Sequence, residues 1–387
     1  MLNRRKVIVA GALSSLALVG AATVGRAQEE SGAGGGPGGA VFAMSNATAD
    51  NQVVAYRRAA DGRLTRAGST STRGRGIGTD LDTTGALRLS ADHRFLYAAS
   101  AGSDEVTVFS VSGTDLAFLQ KVPAGDQPNS LTLHGNLLYV LNGSVAGNGI
   151  RGFRVAGDGR LAPLPNSFRP LSSPIAVPGQ VQFSPDGRAL LVTQKTTNVL
   201  LRPQNAIDVF TVASSGLASA VPRRVASAGL RPFSLDFRAD GTLVVVEAVN
   251  AAPGRTTSSS YRLQSGGRLS VVSDEVRNGQ SDGCWVVITK DGRYAYTANF
   301  GSGTISSYSL GRSGELRLLE GRAAFTGAKS QPVDLALSAD GRFLYLLAAG
   351  LGGVAAFRIN DNGSLAPRGT AVGGLPVADG ASGLAAF

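Results

Sequence analysis

The sequence of 387 residues is poor in the side chains that build metal and redox centres. It contains one cysteine, Cys284, and two histidines, His93 and His134. A single cysteine excludes an intramolecular disulfide. So few soft ligands argue against a haem, copper or zinc site formed by this chain alone. We therefore expect no metal and no cofactor.

Long runs of one residue class are also scarce. Beyond residue 27, no apolar stretch is long enough to span a bilayer, and no run of five or six like charges occurs. Nucleic-acid binding would need a basic stripe or interleaved aromatic residues, so the sequence argues against it. The net charge is +10, and without the first 27 residues, which hold four basic and no acidic residues, it is +6. This mild excess favours solubility rather than a polyanionic partner.

The first 27 residues have the pattern of an export signal. A basic start at Arg4, Arg5 and Lys6 precedes an apolar stretch, and small residues flank Arg26 before a cleavage site after Ala27. The paired arginines favour the twin-arginine route, with an ordinary Sec signal as the alternative. Residues 28–39 read as a flexible linker. We expect a monomer that is periplasmic or secreted, with no membrane attachment after cleavage.

A repeat of about fifty residues fills the rest of the chain, residues 40–387. Apolar segments follow Asp-Gly-type turns, as in "FSPDGRALLVTQK" (183–195) and "LSADGRFLYLLAAG" (337–350). An aromatic residue inside a short alternating run recurs seven times, at Tyr56, Phe109, Phe153, Phe210, Tyr261, Tyr308 and Phe357. Each unit predicts four short strands, which we call a to d from the inside outward. The pattern predicts an all-β fold, a seven-bladed β-propeller of four-stranded blades.

The two ends of the repeat region predict how the ring closes. The region begins inside a blade with the strand b segment "AVFAMS", and the chain ends on a lone strand a segment, "GASGLAAF". We therefore expect the C-terminal strand to pair into the first blade, because this leaves no unpaired inner edge.

The face that carries the d-to-a and b-to-c connections is the expected site of function. These connections surround the mouth of the central channel and are long and irregular, whereas the turns on the opposite face are short. The first residues of each strand a should line the opening: Ala86, Ser130, Gln180, Ser234, Trp285, Asp334 and Gly383. This set suits a small polar ligand or a water-filled channel. Gln280 is a further ligand-binding candidate, and Trp285 has blade packing as its alternative role.

The sequences of the repeats resemble those of a known family. Stretches such as "DGRYAYTANFGSGTISSY" and "FSPDGR" are similar to the seven-bladed β-propeller lactonase family, typified by 6-phosphogluconolactonase and the fungal carboxymuconate-lactonizing enzyme. The resemblance covers residues 40–387. The stretches "GRGIGTDLDTTGAL" and "NGQSDGCWVVITKDGR" look closer still to an exported bacterial branch.

The resemblance implies a lactone hydrolase or cycloisomerase acting on a small carboxylated lactone. Arg231 would hold the carboxylate, and Glu247 or Asp236 would act as acid or base. The family's His-x-His pair is absent, because Val177 and Gly179 occupy its two positions. The alternative is a non-catalytic periplasmic or extracellular propeller that binds a protein, a glycan or a small ligand.

Overall fold

A computed structural model describes residues 38–145, 147–195, 205–377 and 380–387. All of these residues belong to one compact unit, Gly35–Phe387. The expected export signal, residues 1–27, lies outside the described residues. So does the expected linker, except for Gly38 and Gly39.

Seven antiparallel sheets form the seven blades of the predicted propeller. Blade 1 contains β1 (Ala40–Met44), β2 (Gln52–Arg58) and β3 (Leu64–Ser71). Blade 2 contains β4 (Leu87–Leu89), β5 (Phe95–Ser100), β6 (Glu105–Ser112) and β7 (Asp115–Pro123). Blade 3 contains β8 (Pro128–His134), β9 (Leu137–Asn142), β10 (Gly149–Val155), β11 (Leu161–Pro163) and β12 (Arg169–Pro170).

The second half of the ring repeats this order. Blades 4 to 7 contain β13 (Pro178–Phe183), β14 (Ala189–Gln194), β15 (Ala206–Thr211) and β16 (Arg223–Ala226); β17 (Pro232–Phe237), β18 (Thr242–Glu247), β19 (Thr257–Gln264) and β20 (Arg268–Arg277); β21 (Gly283–Ile288), β22 (Tyr294–Asn299), β23 (Thr304–Leu310) and β24 (Leu316–Phe325); and β25 (Pro332–Leu337), β26 (Phe343–Ala348), β27 (Gly353–Ile359) and β28 (Leu365–Val372).

Helical structure is minimal in the described part of the chain. It consists of three single 3₁₀ turns, Val249–Ala251, Ser265–Gly267 and Ala349–Leu351. Among these residues, no helix has both the length and the apolar character needed to cross a membrane.

The ring closes as the sequence predicts. The last strand, β29 (Ser382–Ala386), pairs antiparallel with β1 and becomes the inner strand of blade 1. The backbone N–H of Phe387 donates to the carbonyl of Ala40 at 2.9 Å. Arg58 Nε donates to the Phe387 carbonyl oxygen at 3.3 Å. The first blade is therefore completed by the two ends of the propeller.

The hydrophobic core lies between neighbouring blades. Strands a and b are buried on both faces, which explains their almost continuous apolar sequences. A tyrosine near the middle of strand b recurs in four blades and donates its hydroxyl to a turn carbonyl of the next blade. The four bonds join Tyr97 to Gly159, Tyr139 to Gly216, Tyr296 to Gly363 and Tyr345 to Gly62. These bonds satisfy buried hydroxyl groups and fix the register between blades.

Polar side chains also join the inner strands around the channel. Ser130 Oγ accepts the N–H of Val181 at 3.2 Å, and Ser234 Oγ accepts the N–H of Val286 at 2.8 Å. Inner strands of adjacent blades belong to different sheets, so these N–H groups have no backbone partner across the gap. The side chains supply that partner, which explains why polar residues recur at the starts of strands a.

Candidate functional site

The channel mouth is built on a repeated backbone contact. In five blades, the residue just before strand a accepts, through its carbonyl, the N–H of the residue just after strand b. The five acceptors are Gln127, Val177, Arg231, Asp282 and Gln331, and the matching donors are Gly143, Lys195, Ala248, Phe300 and Ala349. Four of the five acceptors have positive φ, from 45° to 57°. The contact needs backbone atoms only, so the side chains at these positions are free to differ.

Three of these ten positions carry charge, and they lie in consecutive parts of the ring. Lys195 follows strand b of blade 4, Arg231 precedes blade 5 and Asp282 precedes blade 6. The equivalent positions in other blades hold Gly, Ala, Phe, Val or Gln. Since the fold does not require charge at these positions, we treat the charged side chains as candidates for function.

A fourth charged residue reaches this place from across the ring. Residues 72–86, which we call the mouth loop, connect blade 1 to blade 2. Within the loop, Thr83 Oγ1 donates to the Asn129 carbonyl of blade 3 at 2.9 Å. The Thr84 N–H donates to the Gly179 carbonyl of blade 4 at 3.2 Å. Contacts with blades that are not its neighbours require the loop to pass over the channel.

The mouth loop brings Asp82 to the two cations. Asp82 Oδ2 lies 2.6 Å from Lys195 Nζ, and Asp82 Oδ1 lies 3.4 Å from Arg231 Nη2. Lys195 also donates to the backbone carbonyl of Asp82 and lies 4.3 Å from the ring of Phe233. We call Asp82, Lys195, Arg231 and Asp282 the mouth cluster.

Burial perturbs the charged groups of the mouth cluster. Desolvation lowers the pKa of Lys195, and the Asp82 carboxylate opposes this effect. Desolvation raises the pKa of Asp282, and the positive charge of Arg231 opposes it. Within the described residues, the one side-chain hydrogen bond to the Asp282 carboxylate comes from the thiol of Cys284, with Sγ 3.8 Å from Oδ1. Asp282 is therefore a half-buried acid whose Oδ2 has no hydrogen-bond partner in the described part of the chain.

Of the three catalytic candidates expected from the sequence, the structure places only Arg231 in the mouth. Glu247 has no exposed surface, and its Oε2 accepts the hydroxyl of Thr257 at 2.8 Å. A β carbon at Gly229 would lie 2.6 Å from Glu247 Cγ, so the segment that leads to Arg231 covers this carboxyl group. Burial raises the pKa of Glu247 to about 8. Glu247 therefore lies buried beneath the segment that leads to Arg231, and not in the mouth itself.

Asp236, Gln180 and Asp334 lie in the channel, where each joins two inner strands. Asp236 accepts the N–H of Ile288 at 2.7 Å, Gln180 accepts that of Leu235 at 2.9 Å, and Asp334 accepts that of Leu384 at 3.2 Å. Burial raises the pKa of Asp334 to about 6 and also raises that of Asp236.

These three residues line a cavity of about 240 Å³ together with Arg88 and Thr84. Arg88 is a channel residue that sequence reasoning missed. Its Nε donates to the Leu131 carbonyl at 3.0 Å.

The remaining expected residues lie at the edge of the mouth or beneath it. Trp285 is only 2% exposed and packs on Phe233, with ring centroids 5.1 Å apart. This is the alternative packing role, although its indole nitrogen has no hydrogen-bond partner. Gln280 Oε1 accepts the Thr304 hydroxyl at 3.0 Å at the outer part of blade 6. Neither side chain makes a hydrogen bond to the mouth cluster within the described residues.

The opposite face contrasts with the mouth. Its acidic residues are paired within their own turns: Asp186 accepts the Ser184 hydroxyl at 2.6 Å and the Arg188 N–H at 3.1 Å, and these bonds lower its pKa. His93 lies in the turn between β4 and β5, where it stacks on Phe387 with ring centroids 5.1 Å apart. A cavity of about 830 Å³ lies on this face between blades 4 and 5, lined by turn residues.

Metal binding finds no support in the described residues, which contain no group of three His, Cys, Asp or Glu side chains that could hold an ion. Cys284 is a buried free thiol, and burial raises its pKa well above the ordinary value. It is therefore a poor nucleophile.

Comparison with known proteins identifies the family of this chain. The sequence model described as "Lactonase, 7-bladed beta-propeller" matches residues 41–178 and 247–334, more than half of the chain. The chain belongs to this family. A comparison with curated proteins finds no significant match.

Solved structures share the fold of this lactonase-family propeller at low sequence identity. A protein from Lactobacillus plantarum is 16% identical with a TM-score of 0.71, covering 91% of this chain and 100% of its own. The periplasmic gluconolactonase of Pseudomonas aeruginosa is 19% identical with a TM-score of 0.64, covering 89% and 99%. A candidate 6-phosphogluconolactonase from Bacteroides fragilis is 18% identical with a TM-score of 0.65, covering 90% and 98%.

This lactonase-family propeller has no room for the second histidine of the family pair. A β carbon at Gly179 would lie 2.1 Å from the carbonyl oxygen of Phe233, so the backbone here excludes any larger side chain. The mouth loop docks on the same residue through Thr84. A histidine pair of this kind therefore cannot form here.

Sequence reasoning missed Asp82, Lys195 and Asp282. Lys195 and Asp282 could have been found by superposing the repeats and asking where charge replaces small or neutral residues. No local pattern reveals Asp82, because its partners are more than one hundred residues away in the chain.

Proposed function

We propose that this protein is an exported lactonase that opens a small carboxylated lactone at the channel mouth. The observation that carries the proposal is the mouth cluster, in which two cations meet at Asp82 and also act electrostatically on the half-buried Asp282, whose pKa is raised. Perturbed acids next to cations in a cleft are typical of catalytic sites.

Each step of ring opening has a candidate group. Asp282 takes a proton from the water that attacks the lactone carbonyl. The positive charges of Lys195 and Arg231 stabilise the oxyanion and hold the substrate carboxylate. When the ring C–O bond breaks, the leaving oxygen takes the proton back from Asp282, so one water is consumed and no cofactor is needed.

The residues first expected to handle protons have different roles in this proposal. Glu247 keeps the segment before Arg231 in place, and Asp236 holds adjacent inner strands together. Both are hydrogen-bonded within the protein and act as positioning residues.

Two observations support export. The first 27 residues carry the basic start and apolar stretch of a signal. The Pseudomonas aeruginosa protein of similar fold is named a periplasmic gluconolactonase. Recovery from the periplasm or medium of a chain that begins near residue 28 tests this proposal, and full-length chain retained in the cytoplasm would contradict it.

The test of activity compares a neutral lactone with the same lactone carrying a carboxylate substituent. We expect the wild-type protein to open the carboxylated lactone with a kcat/KM at least about tenfold higher, because a charge-assisted hydrogen bond contributes about 1.5–3 kcal/mol. Arg231→Gln should remove this preference.

Arg255→Gln is the matched control, because it removes the same charge from an exposed position on the same face. Its substrate preference should equal that of the wild type. If the wild-type protein opens neither lactone, the enzyme proposal is wrong, and ligand binding without catalysis becomes the explanation of the mouth.

A further inference from the structure

The ion pair between Asp82 and Lys195 joins an exposed acid to a buried base. The Lys195 side chain is 2% exposed, whereas that of Asp82 is 43% exposed. A buried ammonium group requires a counter-charge, since an unpaired charge there would be strongly destabilising. Asp82 supplies that charge from the solvent side, where a ligand entering the mouth would arrive.

Asp82 reaches the two cations from the mouth loop rather than from a blade, although the backbone around it is anchored at Thr83 and Thr84 to blades 3 and 4. Its side-chain partners lie in blades 4 and 5. Its backbone has a positive φ of 51°, a conformation that aspartate adopts more readily than most residues, and its N–H donates to the Asp80 carboxylate at 3.0 Å. The negative charge of Asp82 also acts on Asp80 and Asp282 and contributes to raising the pKa of each. Like-charge repulsion therefore opposes the position of the Asp82 carboxylate, and the two cations hold it there.

We propose that Lys195 and Arg231 form a subsite for an anionic oxygen group, which Asp82 occupies in the unliganded protein. A ligand carboxylate or phosphate enters by replacing the Asp82 carboxylate, and the exposed Asp82 side chain turns away from the two cations. This inference rests on the proposed function for the identity of the substrate, but anion binding can be measured without turnover.

Competition between the Asp82 carboxylate and an external anion predicts how the Asp82 charge changes the affinity for that anion. The apparent affinity for an external anion is lowered by the fraction of molecules in which the subsite is already filled. Removing the Asp82 charge should therefore tighten anion binding, whereas removing a purely structural ion pair would weaken or not change it.

The experiment measures binding of succinate and of inorganic phosphate by isothermal titration calorimetry. We expect Asp82→Asn to bind at least one of the two anions at least tenfold more tightly than the wild type, and the preferred anion identifies the class of ligand. Asp126→Asn is the matched control, since Asp126 is an exposed acid on the same face without contact to Lys195 or Arg231. It should bind as the wild type does.

A second variant keeps the inference testable if Asp82→Asn folds poorly. Arg231→Gln, with Asp82 intact, should lose anion binding, because the subsite then retains one cation only. Unchanged binding in Arg231→Gln would overturn the inference, as would equal or weaker binding in a folded Asp82→Asn. If the proposed lactonase activity is absent but Asp82→Asn still binds anions more tightly, the subsite stands and only the proposed reaction fails.

Discussion

Glu247 shows how a residue's place in the repeat determines its role. It ends strand b of blade 5 and lies opposite Thr257, whose hydroxyl donates to it. In blade 6, Asn299 ends strand b, lies opposite Thr304 and contacts that hydroxyl with its side-chain nitrogen at 3.1 Å. The two residues occupy the same position, and an amide is sufficient there. The carboxyl group of Glu247 is therefore not required by the fold, and burial makes it costly to ionise.

Glu247→Gln should change how stability depends on pH. The folded pKa of Glu247 is about 8 against an ordinary value of 4.5, so between these values the folded state binds more protons than the unfolded state. The contribution of Glu247 to the free energy of unfolding of the wild type therefore falls as pH rises through that window. The variant lacks this loss and should gain stability relative to the wild type between pH 5 and pH 9.

Thermal unfolding of both proteins at the two pH values measures this effect. Glu320→Gln, at an exposed position of β24, is the control and should follow the wild type. A constant difference between wild type and Glu247→Gln at the two pH values would show that the carboxyl group ionises freely in the folded protein.

At the level of the element, the blades are joined by a hydrogen bond that recurs with the repeat. In blade 6, β22 carries two tyrosines, and both donate to the same turn of blade 7. Tyr296 is fully buried and donates to Gly363 at 2.8 Å, whereas Tyr294 is exposed at its hydroxyl and donates to Asp361 at 2.9 Å. Comparing these two tyrosines therefore separates the effect of burial on stability from the effect of the hydrogen bond itself.

Tyr296→Phe should lower the free energy of unfolding by about 1 kcal/mol, because a buried carbonyl loses its donor. Tyr294→Phe should change it by less than about 0.5 kcal/mol, because water replaces the exposed hydroxyl. Denaturant unfolding of the two variants measures the difference. Equal losses would indicate that the bond between blades does not depend on burial.

The elements could be predicted from the sequence because their signals are local. A turn between two apolar runs predicts each pair of inner strands. The lone C-terminal "GASGLAAF" segment predicts the closing strand, which β29 forms. The orientation of Glu247 was harder to predict, because alternation along β18 turns Val246 toward blade 6 and Glu247 away from it. A shift of one residue at the end of a strand separates a mouth residue from a buried one.

At the level of the whole molecule, the site depends on contacts that no local pattern contains. The mouth loop leaves blade 1 and reaches blades 3, 4 and 5 over the channel. Lys195 and Arg231 become one site only because the ring brings blades 4 and 5 together and Asp82 lies across both. The sequence predicted the mouth face and included Arg231 among the candidates, whereas this long-range assembly required the structure.

The two faces of the propeller differ in how their acids are paired. Asp186 of the opposite face is hydrogen-bonded within its own turn and its pKa is lowered, whereas the pKa of Asp282 in the mouth is raised by burial. His93 stacks on Phe387, and His134 packs against Phe183. Both histidines therefore have structural surroundings, and the account gives them no part in catalysis.

The most direct test of the account is the kcat/KM for hydrolysis of a carboxylated lactone by three proteins: wild type, Asp282→Asn, and the double variant His93→Gln with His134→Gln. Loss of a positioned base commonly lowers the rate by roughly 100-fold to 10,000-fold, so Asp282→Asn should lose activity to that extent. The double histidine variant should stay close to the wild type. An inactive double histidine variant together with an active Asp282→Asn would contradict the account and would indicate that the reaction takes place on the opposite face.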